Sequence, residues 1–111
     1  SLPSIVDDTI ILTIKNNELY IPGTVLRQIK IGVGRRANFG LLVEAIVISP
    51  RKRELERGGV TIKSYVVDRR NSVKLSHRTL ATVFSNLQDG SELIVTFNDG
   101  NARIATKEHH D

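Results

Sequence analysis

The chain has no cysteine and no methionine. No disulfide framework, thiolate metal site or thiol nucleophile is open to it. Aromatic residues make up 5% of the sequence, against 40% hydrophobic residues in all. The apolar content therefore rests on Ile, Leu and Val, whose β-branched chemistry favours strands. No apolar run reaches the roughly 18 residues that a membrane helix requires. The opening SLPSIVDD lacks the basic and apolar segments of a secretory signal. These absences predict a soluble, cytoplasmic chain with no membrane partner. Its 111 residues fit a single domain over 1–111, either self-standing or excised from a longer chain. That length buries a core without covalent staples.

What is present is charge, unevenly placed. The net charge is +4, from 16 basic and 12 acidic residues. Residues 1–26 carry one Lys against three acids, residues 27–78 carry thirteen Lys and Arg against four acids, and residues 79–111 carry two basic residues against five acids. A cationic middle between acidic ends points to an anionic partner, provided the basic residues share a face.

Thr9–Lys15 alternates as a strand, Asn16-Asn17 supplies a tight turn, and Glu18–Ile21 returns. Pro22-Gly23 breaks the pattern. Residues 24–33 fit a helical turn at Val25, Leu26 and Ile29, or a strand at Ile29, Ile31 and Val33; the alternation favours a strand at the end of the segment. GLLVEAIVIS, 40–49, is apolar on both faces and reads as one central strand closed by Pro50. RKRELERGG, 51–59, reads as an exposed turn, hairpin tip or short helix, and 60–67 alternates again as a strand. Val73–Leu75 is a short strand leading to Ser76, a natural N-cap. Leu80, Val83, Phe84 and Leu87 then form one helical stripe, which predicts a helix over 76–87 ending near Gly90. Residues 92–97 and 102–106 pair across Asn98-Asp99-Gly100. The fold class expected is α+β, mostly antiparallel sheet of about seven strands, with one helix and a βαββ unit at the C-terminal end.

The basic candidates are Arg27, Lys30, Arg35, Arg36, Arg51, Lys52, Arg53, Arg57, Arg69 and Arg70. On one face they would neutralise phosphates with steep salt dependence. No stacking rings interleave with them, since Tyr20, Phe39, Tyr65, Phe84 and Phe97 read as core, which weighs against a single-strand binding platform. Gly32-Val33-Gly34-Arg35-Arg36 lacks the glycine spacing and the Lys-Ser/Thr pair of a phosphate loop, and reads as a turn. His77 opens a helix without an orienting acid, so Ser76-His77 is not a nucleophile–base pair. Asp7-Asp8 and His109-His110-Asp111 read as solvated charge rather than metal or acid–base sites. No catalytic constellation emerges, and the expectation is a non-enzymatic chain with no cofactor, metal or small-molecule substrate.

Two resemblances follow from these motifs. SLPSIVDDTIILTIKNNELYI and VKLSHRTLATVFSNLQDGSELIVTFNDGNARIAT together resemble pieces of a DNA sliding-clamp domain over about half the chain. The spacing from Leu75 to Gly90, and the places of Leu87 and Gly90, match the clamp's strand, helix and turn. The segment Arg35–Arg70 has no clear counterpart there, and the helix preceding the clamp hairpin is missing. A clamp ring has six such domains, so the resemblance implies a homo-oligomer or a larger assembly. VVDRRNSVKLSHRTLATVFSNLQDGSELIVTF is also similar to the AbrB-like, swapped-hairpin and double-psi barrel group, with NNELYIPGTVLRQIKI as a possible first copy of a duplicated barrel. Helices of that group are about two residues shorter than 76–87, and its loop proline is absent; spacing thus favours the clamp-like unit. The first resemblance implies a module meeting the backbone of duplex DNA without reading bases, and the second a dimeric transcriptional regulator. A protein-interaction or assembly domain without a nucleic-acid role is the third expectation.

Overall fold

The computed structural model of the chain describes residues 9–107. They form, in order, β1 (Ile10–Thr13), β2 (Leu19–Ile21), α1 (Gly23–Gln28), β3 (Arg36–Leu41), β4 (Ala45–Ser49), α2 (Lys52–Arg57), β5 (Thr61–Val66), β6 (Val73–Leu75), α3 (His77–Ala81), β7 (Glu92–Asn98) and β8 (Asn101–Ala105). Six strands make one antiparallel sheet in the order β1-β7-β8-β4-β3-β5, and β2 pairs with β6 in a second, two-stranded sheet. One face of the large sheet carries Leu12, Ala37, Phe39, Ile46, Ile48, Leu93, Val95, Ala102 and Ile104. These pack in a single core with Leu19 and Ile21 of β2, Val73 and Leu75 of β6, Val25 and Leu26 of α1, and Leu80 of α3.

The β-rich α+β class is as expected, but several elements differ. The predicted three-turn helix over 76–87 is only five residues long, His77–Ala81. Ser76 caps it as expected, its Oγ accepting from Thr79 N at 3.3 Å. The β-branched Thr79, Thr82 and Val83 crowd the next turn. Thr82 Oγ1 donates to Thr79 O at 2.7 Å, and the Glu44 carboxylate takes both Ser85 N, at 3.0 Å, and Ser85 Oγ, at 2.7 Å. Those bonds hold 82–87 outside the helix, although Val83 and Phe84 stay buried. Nor is this the only helix, since α1 and α2 are each six residues long. The strand expected near 29–33 is absent: Ile29 and Ile31 are buried in the turn that ends α1, where Ile31 N donates to Leu26 O at 2.9 Å. GLLVEAIVIS is no single central strand but parts of β3 and β4 joined by Leu42-Val43-Glu44, with Glu44 at φ 62°. The Asn16-Asn17 turn forms, at φ 52° and 61°, but only Lys15 and Glu18 pair beside it. Its strands then part, β1 to β7 and β2 to β6.

That parting has a pattern. The strand order reads the same from either end once β1 is exchanged with β5, β7 with β3 and β8 with β4. Backbone bonds repeat in the same way. Gly34 N donates to Val67 O at 3.0 Å, as Gly90 N does to Ile14 O at 2.9 Å; Val67 N donates to Arg35 O at 2.9 Å, as Ile14 N does to Ser91 O at 2.9 Å. Leu26 N bonds Pro22 O, as Leu80 N bonds Ser76 O. Gly34 and Gly90 take φ 83° and 90°, and Asn17 and Asn71 take φ 61° and 59°, left-handed positions suited to Gly and Asn. The chain thus holds two ββαββ copies about a pseudo-two-fold axis through the Val47–Arg103 and Tyr20–Lys74 pairs. In each copy the first strand is lent to the other. The helix α2 joins the copies and has no counterpart among the described residues.

Candidate nucleic-acid interface

Backbone register decides which basic side chains meet. Arg35 and Arg36 enter β3, and Arg36 lies opposite Val66 at the end of β5. The Gly34–Arg35 bonds to Val67 continue that pairing, so the loop 68–71, with Arg69 and Arg70, leaves from beside them. Asp68 shapes this loop: its Oδ1 accepts from Arg70 N at 2.9 Å and Ser72 N at 3.2 Å, a local Asx-type turn. The single acid of the corner is therefore turned onto backbone. Asn71 and Arg27 converge from two elements on Gly23, where a Cβ would lie 2.7 Å from Arg27 Nη1. Asn71 Oδ1 is buried there without a hydrogen bond among the described residues. Lys30, at φ 64°, closes the turn after α1.

Arg27, Lys30, Arg35, Arg36, Arg69 and Arg70 thus gather at one pole of the molecule. All six are exposed, and none is in an ion pair among the described residues. Confined like charges of this kind, left without counter-charges, attract a polyanion.

The α2 cations are placed differently. Arg51 stands level with Arg36 if the Asn38–Ser49 register is carried two residues on. Its guanidinium is engaged, however: it pairs with Glu54 and donates to Asp99 O at 2.9 Å and Asn101 Oδ1 at 3.2 Å. The hydrogen bond from Arg51, joined by one from Asn101, holds the Glu54 carboxyl below its usual range, and the same bond to Glu54 raises Arg51. Arg51 is a clasp between α2 and the β7–β8 turn. Lys52 and Arg53 extend along α2 from the basic pole, while Arg57 ends the helix near Thr61, which pairs with Leu41. Thr61 lies five residues along β5 from Val66, about 17 Å at the rise of a strand, so Arg57 belongs to the far end. Tyr20, expected in the core, is 54% exposed on the β2–β6 ribbon opposite Lys74.

The comparison of the two copies turns the cationic middle and acidic ends of the sequence into an asymmetry between two poles. Segments 23–36 and 67–72 hold six basic residues and one acid; their counterparts, 77–92 and 14–18, hold two basic residues and three acids. Arg35 and Arg36 correspond to Ser91 and Glu92, and Arg27 to Ala81.

The acidic pole carries a cleft of about 730 Å³ lined by residues that include Glu44, Phe84, Ser85, Glu92 and Lys107. Ser85 Oγ donates to Glu44 there, and no histidine lines the cleft; His77 lines an adjoining pocket of about 100 Å³ that Ser85 also borders, but Ser85 Oγ is bonded to Glu44 and not to His77. The elements of a nucleophile, base and orienting acid are not assembled around Ser85. Among the described residues there is no cluster of three or more His, Asp or Glu that could hold a metal ion, and no helix long and apolar enough to cross a membrane. Asp7-Asp8 and His109-His110-Asp111 lie outside the described residues. No family model, curated protein or solved structure matches the chain.

Proposed function

We propose that the chain is a non-enzymatic module that associates with the phosphate backbone of duplex DNA, built as a fused pair of AbrB-like swapped-hairpin units. The observation that carries this reading is the gathering of six unpaired cations at one pole of a pseudo-two-fold scaffold. Two facts favour the AbrB-like form over the clamp-like one. The spacing that suggested a clamp assumed a helix over 76–87, whereas α3 has five residues, which removes the ground on which the clamp-like unit was preferred. The lending of first strands between copies also suits a swapped-hairpin pair. With both units in one chain, the pair expected of a dimeric regulator is supplied internally. Cationic side chains aimed at phosphates position a protein without reading bases, so sequence preference should be slight.

The test is a gel-shift titration of a mixed-sequence duplex at 50 and 200 mM salt, with the molecular mass in solution measured alongside. Four phosphate contacts should weaken binding about a hundredfold between those salts. Absence of salt-sensitive retention would refute the reading in favour of a protein-interaction domain.

A further inference from the structure

The two copies share a backbone but not a charge, and this has a consequence for stoichiometry. A symmetric pair of units would offer DNA two equivalent surfaces. Here the residues that would make the second surface have been exchanged for Ala81, Ser91 and Glu92 in place of Arg27, Arg35 and Arg36. The second loop, Lys15–Glu18, carries one charge of each sign where the first carries Arg69 and Arg70 against Asp68 alone. Glu18 is paired with Lys74 at 3.4 Å and Glu92 with Lys107 at 3.5 Å, so lysines near that pole are partly spent on its own acids. Asp89 Oδ1 accepts from Asn17 N at 2.7 Å and keeps a further carboxylate at that end.

We infer that the chain meets duplex DNA through one pole only, one chain to one non-palindromic contact, and that the second copy serves as scaffold. This rests on the reading of the basic pole as a DNA surface. The opposing poles add an orientational effect: a phosphate backbone attracts the arginine-rich end and repels the acidic one, so the molecule docks end-on. The covering of β3 by α2 places Lys52 and Arg53 beside the basic pole and widens it on one flank.

The experiment compares the whole chain with two variants on a labelled 20-base-pair duplex at 50 mM salt. One is Arg35→Gln/Arg36→Gln/Arg69→Gln/Arg70→Gln and the other Lys15→Gln/Arg78→Gln at the opposite pole. Both variants are read with a thermal-melting control, and all six substituted side chains are exposed, so folding should be retained. The first variant is expected to lose at least tenfold in affinity and to flatten the salt dependence, while the second stays within twofold of the parent. Mass in solution under excess DNA should give one duplex per chain. Equal losses in the two variants, or two duplexes per chain, would overturn single-pole contact while leaving DNA association intact. Failure of the parent to bind at all would instead bring down the underlying DNA reading.

Discussion

Asn38 illustrates how single residues tell the two copies apart. It is 4% exposed on the sheet face away from the main core. Its Nδ2 donates to Ser49 O at 3.0 Å, and its Oδ1 accepts from Ser64 Oγ at 2.7 Å, so one side chain ties β3 to both neighbouring strands. In the other copy the same three places hold Ile94, Ala105 and Ile11, which meet through apolar contact. A polar triad thus stands on one side of the pseudo-axis and an apolar one on the other. Cutting Asn38 to Ala leaves a buried carbonyl and a part-buried hydroxyl without their partner, which should cost about 2 kcal/mol. Adding Ser64→Ala to that variant removes the orphaned hydroxyl, so the second change should cost less than Ser64→Ala does alone, with a coupling of about 1 kcal/mol. Urea unfolding of the four proteins of the cycle measures this, and strictly additive costs would show that the Asn38–Ser64 bond adds nothing to stability.

At the scale of elements, α2 depends on the rest of the fold. Six residues are too few to hold a helix in water. Leu55, its buried residue, rests on β3 where Gly40 leaves room: a Cβ at Gly40 would stand 3.1 Å from Leu55 Cδ2 and 3.2 Å from Val60 Cγ2. Leu55→Ala should therefore cost about 2 kcal/mol and speed amide exchange across Lys52–Arg57 more than in β3 or β4; unchanged exchange in α2 would mean that the Arg51 clasp alone holds it. The sequence made some elements plain and hid others for physical reasons. Strands 61–66, 73–75 and 92–98 are legible because short runs rich in Val, Ile and Leu are bounded by Gly, Asn and Ser. The β3–β4 turn is hidden because Leu42 and Val43 are apolar; Val43 is nevertheless 89% exposed at its tip. The stripe Leu80, Val83, Phe84 and Leu87 does face inward, but hydroxyl and carboxylate bonds to the backbone override its helical spacing after Ala81. The basic pole was legible as a segment of charge only. Its assembly needs the Arg36–Val66 register and the approach of Asn71 to Gly23, and neither is local in sequence.

For the whole molecule, exchange of the first strands makes the two copies mutually dependent. Strand β7 of the second copy is edged by β1 of the first, and β3 of the first by β5 of the second. The β2–β6 ribbon takes one strand from each, and the central β4–β8 pair does the same. Splitting the chain within 50–60, between β4 and β5, therefore leaves each half with a β-hairpin and no neighbour for its outer strands. A bare hairpin is at best marginal in water. Residues 1–57 and 58–111, prepared separately, should each lack a cooperative thermal transition as a monomer. Mixed in equal amounts they should regain strand signal in circular dichroism and a melting transition that rises with concentration, as expected when folding and association are one event. The half 58–111 could also pair with itself, because its own β5, β6, β7 and β8 can take the places of β1, β2, β3 and β4 about the same axis. Its six-stranded sheet would then set Ile94 against Ser64, where the intact chain sets it against Ile11, losing apolar contact at that site. The heterologous pair should accordingly win in a mixture of the halves, and a cooperative monomeric melt from either half alone would show that the strand exchange is dispensable.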